Sequence, residues 1–186
     1  MTSPLAVAAA ARAVLDGGVV AYPTEAVYGL GCLPRDETAV SRILRMKRRS
    51  WRKGLLLIAA DLETLMRYVA LERSPLASEI LASWPGPYTW VLPARADVPE
   101  WLTGRRGSIG VRLTAHAIAA ELASRVGDAL VSTSANVSRR PPARTALAAR
   151  RAVGREVDYV LSGKVGGGAK PTSIRDGMTG AVLRPS

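Results

Sequence analysis

Small polar side chains gather where four predicted strands of this 186-residue chain meet their loops. The four stretches are PTE (23–25), SIGVR (108–112), STSAN (132–136) and PTSIRD (171–176). Hydroxyl and amide groups can hydrogen-bond phosphate or ribose oxygens, although serine and asparagine are also common turn formers. In STSAN the consecutive hydroxyls of Ser132, Thr133 and Ser134 exceed what a turn requires, which favours a binding role.

A fifth stretch, at 42–53, is strongly basic, and no acid occurs between Glu37 and Asp61. Its cations are Arg42, Arg45, Lys47, Arg48, Arg49, Arg52 and Lys53. The helix dipole favours cations near a helix C-terminus, which is one explanation for Lys47 and Arg49. The other is a phosphate clamp, since arginine offers a planar fork of donors and lysine a mobile point charge.

The chain has few groups for covalent catalysis, because Cys32 and His116 are its only cysteine and histidine. One cysteine excludes an internal disulfide and a multi-cysteine zinc site, and we expect Cys32 to pack in the core. One histidine argues against a Ser-His-Asp triad, and we expect His116 to be a surface or capping residue. Hydroxyls, an amide and cations without a nucleophile favour phosphoryl or nucleotidyl transfer, which depends on positioning and charge stabilisation.

The net charge of +11 favours a polyanionic partner, either a nucleic acid or a nucleotide phosphate, or reflects a basic surface in an arginine-rich proteome. No apolar run approaches the ~18–20 residues of a membrane span. The N-terminal segment lacks a basic start and is interrupted by Arg12 and Asp16. It is therefore predicted to be an amphipathic helix of a cytoplasmic protein rather than a signal peptide.

The elements that must position these residues alternate between helix and strand signals along the chain. Six helices are predicted from capping and breaking residues. They run from Pro4 to near Gly17, from Asp36 to near Lys47, from Asp61 to near Val69, from Ser74 to near the PGP at 85–87, from Thr114 to near Gly127, and from Thr145 to near Val153. Strands are predicted at 18–22, 54–60, 88–94, 108–113, 129–133, 158–163 and 180–185. The pattern predicts one α/β domain over 1–186 with a twisted mixed sheet flanked by helices. The dinucleotide and P-loop fingerprints do not occur.

Six segments together resemble the threonylcarbamoyl-AMP synthases of the YrdC/TsaC family, in its single-domain bacterial form. They are AYPTEAVYGLGC (21–32), KRRSWRKGLLLIAA (47–60), WPGPYTWVLPA (84–94), SIGVRLTAH (108–116), LVSTSAN (130–136) and PTSIRDGMTGAVLR (171–184). The resemblance covers nearly the whole chain, and the segments follow one another in the family's order. It implies that L-threonine, bicarbonate and ATP give L-threonylcarbamoyl-AMP and pyrophosphate, the first step towards threonylcarbamoyladenosine in tRNA.

The resemblance also implies residue roles. Lys47, Arg49, Ser134 and Asn136 correspond to the family's catalytic tetrad around the nucleotide phosphates. ATP is expected to contact Lys47, Arg49, Lys53, Ser108 and Asn136. Threonine is expected to contact Thr24, Arg112, Ser134 and Thr172, and the Arg112 guanidinium can pair with its carboxylate.

Three positions depart from the family pattern. Ile58 stands where some longer relatives have a histidine that touches threonine, and Thr172 replaces a serine. Ser138-Arg139 stands where Ser-Gly is common, which adds a cation near the expected site. Glu25 has three interpretations: a surface acid, a residue that orients a neighbouring cation, or a residue that helps to position a metal ion.

The implied ligands and partners follow from the same resemblance. ATP is a substrate and Mg2+ accompanies it, and no protein side chain is assigned as a ligand of the metal. The expected partners are tRNA or double-stranded RNA and proteins that receive the labile product, and the chain is expected to be a monomer. Composition makes VGGGAK (165–170) a flexible loop and a candidate lid. The competing function is that of a non-catalytic protein that binds tRNA or double-stranded RNA.

Overall fold

The computed structural model describes residues 2–136, 140–153, 155–167 and 172–185. Its helices are α1 Pro4–Leu15, α2 Glu37–Met46, α3 Leu62–Met66, α4 Ala77–Ala82, α5 Glu100–Thr103, α6 Ala117–Val126 and α7 Ala146–Val153. Its strands are β1 Val20–Pro23, β2 Tyr28–Gly31, β3 Leu56–Ala59, β4 Tyr88–Pro93, β5 Ser108–Leu113, β6 Leu130–Ser134, β7 Tyr159–Val160, β8 Ser173–Asp176 and β9 Val182–Arg184. Short 3-10 turns occupy Trp51–Lys53 and Leu71–Arg73.

The described strands form one mixed sheet in the order β7-β1-β2-β6-β3-β5-β4-β8-β9. The pairs β1–β7, β3–β5 and β4–β8 are parallel, and the others are antiparallel. β6 lies between β2 and β3, which brings the middle of the chain beside its beginning. The predicted α/β class with a mixed sheet flanked by helices is confirmed.

Apolar side chains pack on both faces of the sheet. The larger cluster includes Leu57, Trp90 and Val131 from the strands together with Ile43 of α2. On the other face α1 and α6 pack against each other and cover a smaller cluster that includes Ile58. Because side chains alternate along a strand, Leu57 and Ile58 serve opposite faces. Cys32 is fully buried in the larger cluster, so its predicted packing role is confirmed.

Several helix starts follow the predicted signals. Pro4 is the first residue of α1 and follows a Ser3 cap, and Asp36 accepts the Ala39 N–H at the start of α2. Thr145 accepts the Ala148 N–H at the start of α7. Such caps satisfy backbone donors that the first helical turn leaves without a partner.

Two helix predictions need correction. The helix after Asp61 ends at Met66 instead of Val69, because Val69 pairs as a bridge with Ala94 near the end of β4. The cap of α6 is His116 rather than Thr114, with its Nδ1 accepting the Ala119 N–H. Thr114 lies two residues before the cap, where its hydroxyl donates to Glu25 and accepts the His116 N–H.

The stretch 21–32 contains a strand that the sequence did not predict. β2 at Tyr28–Gly31 returns antiparallel to β1, and residues 24–27 form the turn between them. Gly29 and Gly31 allow β2 to lie this close to Tyr22 and Thr24. A Cβ at Gly31, for example, would lie 2.7 Å from the Tyr22 ring. The helix predicted to begin at Ser74 begins later than expected. Ser74 forms a turn, and α4 starts at Ala77. No helix in the described part of the chain is long and apolar enough to cross a membrane.

Candidate active site

One cavity of about 1310 Å³ lies on the sheet face that α1 and α6 cover only in part. On β3, Ile58 packs under these helices while Leu56, two residues earlier, lines the cavity. On β6, Leu130 packs under the helices and Ser132 lines the cavity. The volume exceeds the roughly 300–1,000 Å³ of common small-molecule pockets, so the cavity has room for two substrates.

All nine residues that the sequence singled out line this cavity. They are Thr24, Lys47, Arg49, Lys53, Ser108, Arg112, Ser134, Asn136 and Thr172. Residues 137–139 lie outside the described part of the chain, and so do 168–171, so the positions of Arg139 and of residues 168–170 of the glycine loop are not assigned. Ile58 is buried among apolar side chains and is not among the residues that line the cavity.

β5 forms part of the cavity floor by simple alternation. Ser108, Gly110 and Arg112 line the cavity, while Val111 belongs to the core on the opposite face. A side chain at Gly110 would fill the floor, since its Cβ would lie 3.3 Å from the Leu56 Cβ. Glycine at this position therefore keeps an open floor between Ser108 and Arg112.

The end of α2 directs the two cations of the K-x-R segment towards the cavity. The Arg49 N–H donates to the Leu44 carbonyl at 3.0 Å and the Arg48 N–H to the Arg45 carbonyl at 2.9 Å, which is a Schellman motif. Arg48 has φ 48°, in the left-handed region that this motif normally gives to glycine. The chain reverses there, so Lys47 and Arg49 both line the cavity.

Lys47 is buried and joins α2 to the end of β6. Its Nζ lies 2.5 Å from the Ser134 carbonyl, 3.1 Å from the Asn136 carbonyl and 3.0 Å from Asn136 Oδ1. The Ser134 hydroxyl donates to the same Asn136 oxygen at 2.6 Å. Burial, followed by the nearby Arg49 charge, lowers the pKa of Lys47 to about 8.

Arg49 is held by backbone oxygens rather than by an acid. Its Nη2 donates to the Gly54 carbonyl at 3.0 Å, while its Nε is buried without a hydrogen-bond partner in the described structure. Burial and then the nearby Arg106 charge lower the pKa of the Arg49 guanidinium. The guanidinium lines the cavity and forms no ion pair within the described structure, so its charge can serve an anion there.

Arg112 anchors the other end of the cavity. Its Nη1 donates to the Thr172 hydroxyl at 2.6 Å, and its Nη2 lies 3.2 Å from Glu25 Oε2. The Arg112 and Glu25 side chains are only 5% and 14% exposed, so this ion pair is largely shielded from water. Thr114 donates to the other Glu25 oxygen at 2.7 Å. Of the three interpretations of Glu25, this geometry favours the orientation of a neighbouring cation.

Thr24 lies in the β1–β2 turn and is 6% exposed. Its hydroxyl donates to the Val27 carbonyl at 2.7 Å, so the oxygen lone pairs are left to accept a hydrogen bond from a ligand. The segment around Gly166 packs on this turn, where the Gly166 N–H donates to the Thr24 carbonyl at 2.9 Å. The base of the glycine loop is therefore fixed beside Thr24.

Four further arginines line the cavity, and the sequence analysis assigned none of them to the site. They are Arg48, Arg106, Arg140 and Arg184. Arg184 donates to the Thr172 carbonyl at 2.8 Å, and burial and then the nearby Arg112 charge lower its pKa. No acid is among the described residues that line the cavity. The resulting concentration of positive charge is suited to a polyanion.

Comparison with known proteins places the chain in a family. The family model Sua5_yciO_yrdC, described as telomere recombination, matches residues 12–186. A threonylcarbamoyl-AMP synthase of Halorhodospira halophila is 53% identical over 98% of this chain and 96% of its own. One from Nitrosococcus oceani is 53% identical over 94% of this chain and 95% of its own. The chain belongs to the Sua5/YciO/YrdC family.

A solved structure supports the same relationship. The crystal structure of P. abyssi Sua5 complexed with L-threonine matches with a TM-score of 0.88 and 32% identity over 96% of this chain. The match spans about half of the longer protein, 53% of its length. The predicted family resemblance is thereby confirmed.

Proposed function

We propose that this protein is an L-threonylcarbamoyladenylate synthase, which converts L-threonine, bicarbonate or CO2, and ATP to L-threonylcarbamoyl-AMP and pyrophosphate. The observation that carries the proposal is one cavity with two ends. Arg112 contacts Thr172 at one end of β5, and the K-x-R cations contact Ser134 and Gly54 towards the opposite end of the neighbouring strands. The names of relatives about half identical to this chain support it, and so does the threonine complex of P. abyssi Sua5.

The reaction needs no nucleophile from the protein. The threonine amine attacks the carbon of CO2, forms a C–N bond and loses a proton, or attacks bicarbonate with loss of water. A carbamate oxygen then forms a bond to the α-phosphorus of ATP. The bond between that phosphorus and the α,β-bridging oxygen breaks, and pyrophosphate leaves with the electron pair.

The residues at the two ends would divide this work. Arg112 pairs with the threonine carboxylate, and Thr24, Ser134 and Thr172 supply hydroxyl partners. The cations and polar groups at the other end would stabilise the phosphates of ATP. They are Lys47, Arg49, Lys53, Ser108 and Asn136. Preorganised charge of this kind stabilises the transition state without reorganisation during the reaction.

Mg2+ enters the proposal as the counter-ion of the ATP substrate. No group of three or more histidine, cysteine or acidic side chains able to hold a metal occurs in the part of the chain that the structure describes. Protein ligands for Mg2+ are mainly carboxylates. The chemistry proposed for the protein is therefore assigned to its cations and hydroxyls.

Pyrophosphate release from ATP tests the function directly. We expect release by the purified protein to require both L-threonine and bicarbonate, and threonylcarbamoyl-AMP to form in equal amount. Omission of either co-substrate should reduce release to background. Release that ignores either one, or no release with all three, would overturn the synthase assignment.

The remaining predictions from the sequence stay predictions within this proposal. They are a single domain over 1–186, a monomer, a cytoplasmic location, direct binding of tRNA or double-stranded RNA, and transfer of the product to other proteins. The family relationship does not favour a non-catalytic RNA-binding role, although the cationic surface is compatible with added RNA affinity. A steep fall of RNA affinity with salt would support that component.

The burial of Lys47 predicts a pH dependence. With a pKa of about 8, the ammonium loses its charge as pH rises through 8, and we expect turnover to fall there. The unfolded chain keeps this proton up to ~10.4, so the unfolded state holds more protons between these values. The contribution of Lys47 to the free energy of unfolding therefore rises with pH across that window.

The pKa can be measured without reference to catalysis. We expect the Lys47 13Cε resonance, assigned by its absence in Lys47→Arg, to titrate near pH 8. Arg45→Ala keeps Lys47 and serves as the control, with an unchanged titration. A Lys47 midpoint near the ordinary lysine value would contradict the prediction.

Glu25→Gln is expected to weaken threonine binding. Glutamine can keep the hydrogen bond from Thr114 but loses the charge that fixes Arg112, so we expect KM for threonine to rise about tenfold. KM for ATP should change by less than about twofold, since the phosphate end keeps its contacts. Steady-state kinetics with each substrate varied separately measures both.

The matched control is Glu121→Gln, which breaks an exposed ion pair with Arg125 on α6. It should leave both KM values unchanged. Equal increases in the two KM values of Glu25→Gln would indicate a general structural role for Glu25 and contradict positioning of Arg112.

A further inference from the structure

Two glycine turns fix the loop before β5 against the turn that follows α2. The Leu55 N–H donates to the Leu102 carbonyl at 2.9 Å. Gly54 and Gly104 both have φ 64°, and a Cβ on Gly104 would lie 2.5 Å from the Arg52 carbonyl oxygen. Only glycine permits this approach and this backbone conformation. Backbone contacts therefore set the position of residues 105–107 relative to Arg49 and Lys53.

Neighbouring arginines in this loop have different surroundings. Arg105 donates to Glu100 Oε2 at 2.9 Å, and its guanidinium lies 5.3 Å from the Trp51 ring centroid. Arg106 lines the cavity, and its side chain makes no hydrogen bond or ion pair within the described structure. Both residues are exposed, but Arg105 is engaged by Glu100 and Trp51 while Arg106 lines the cavity.

Arg49 and Arg106 bring like charges together without an acid to compensate them. They are close enough for Arg106 to contribute to the lowered pKa of Arg49. Lys53 lines the same end of the cavity, and so does Arg48, whose positive φ is unfavourable for a residue with a side chain. A multiply charged anion between these four cations would relieve the repulsion among them. The cations are Arg48, Arg49, Lys53 and Arg106.

We propose that Arg106, opposite Arg49, binds the β- and γ-phosphates of ATP and holds the pyrophosphate that leaves. The assignment rests on the proposed function and adds a residue outside the K-x-R and S-x-N segments. When the bond from the α-phosphorus to the bridging oxygen breaks, negative charge accumulates on that oxygen. A guanidinium beside the β-phosphate stabilises this charge and also slows release of the product.

Direct binding of sodium pyrophosphate, measured by isothermal titration calorimetry, tests the site independently of turnover. We expect the wild-type protein to bind pyrophosphate more tightly than inorganic phosphate. Arg106→Ala should weaken pyrophosphate binding about tenfold, since one charge-assisted contact is lost. Arg105→Ala, the neighbouring control outside the cavity lining, should change the affinity by less than about twofold.

A second variant separates charge from folding. Arg48→Gly removes a cavity cation and places glycine at a left-handed position, so it should weaken pyrophosphate binding while its thermal midpoint stays equal or rises. In steady-state assays the inhibition constant for pyrophosphate should rise about tenfold in Arg106→Ala, with KM for threonine unchanged.

The outcomes distinguish this proposal from the proposed function. Equal pyrophosphate affinities in Arg106→Ala, Arg105→Ala and wild type would overturn the role of Arg106, even if synthesis is confirmed. Loss of affinity in Arg106→Ala but not in Arg105→Ala supports the anion site, even if the protein proved unable to form threonylcarbamoyl-AMP. Equal affinity of the wild type for phosphate and pyrophosphate would also overturn the proposal, because a site for a single phosphate requires no opposed pair of arginines.

Discussion

Lys47→Ala and Arg49→Ala are each expected to reduce turnover by at least about 10²–10³, the usual effect of losing one preorganised donor at a site of developing charge. Arg49 carries the clearer prediction, because its guanidinium lines the cavity and forms no ion pair within the described structure. An anion in the cavity would compensate this charge. Single-turnover release of pyrophosphate at saturating ATP and threonine measures the chemical step.

Lys47 is expected to act through position as well as charge. Its ammonium donates to oxygens of Ser134 and Asn136, so alanine removes the hydrogen bonds that join α2 to the end of β6. We therefore expect Lys47→Ala, unlike Arg49→Ala, also to lower the thermal midpoint. A hydrogen bond to a charged group typically contributes about 1.5–3 kcal/mol.

Arg45→Ala is the matched control for both variants. Arg45 belongs to the same basic run and lies on α2, but it does not line the cavity. Its removal should leave turnover within about twofold of wild type, as expected for a surface substitution. Near-normal turnover in both Lys47→Ala and Arg49→Ala would remove these residues from the chemistry.

The residues named from the sequence line one cavity because they occur near ends of strands that one sheet brings together. The hydroxyls of β6 and the cations after α2 are far apart in the chain, yet Lys47 contacts Ser134 directly. Polar groups at the ends of apolar strands have few positions available other than an edge or open face of the sheet. Composition and periodicity were therefore enough to group these stretches, although not to order the strands, and the family resemblance selected the individual residues.

What the sequence missed depends on contacts between distant segments. The partner of Glu25 is Arg112 on β5, and no local pattern indicates that pairing. Arg184 reaches the cavity because β9 extends the far edge of the sheet beyond β8. Arg106 and Arg105 are indistinguishable in sequence, and only the turn geometry separates them. Tertiary pairing decides each of these assignments.

Arg112→Ala is expected to lower kcat/KM for threonine by about 10²–10³, the effect of losing two charge-assisted hydrogen bonds to a carboxylate. KM for ATP should change much less, because the phosphate cations do not contact Arg112. Arg112→Lys should recover only part of the activity, since an ammonium cannot reproduce the planar fork. Kinetics with threonine varied at saturating ATP provides the measurement.

The same substitution affects stability, and the two effects can be separated. Removal of Arg112 leaves the Glu25 carboxylate buried without its partner, and breaking such a pair typically costs about 3–5 kcal/mol. The double variant Glu25→Gln/Arg112→Met removes both charges and should regain most of that stability. It should not regain threonine-dependent turnover, because the group that binds the carboxylate is absent.

Arg175→Met is the matched control, since Arg175 is also a strand arginine with a glutamate partner, Glu79, but does not line the cavity. It should keep normal kinetics for threonine. If the double variant regained both stability and turnover, the loss in Arg112→Ala would be a folding defect. If it regains stability alone, Arg112 has a direct role in binding threonine, and the buried carboxylate of Glu25 serves to hold that guanidinium in place.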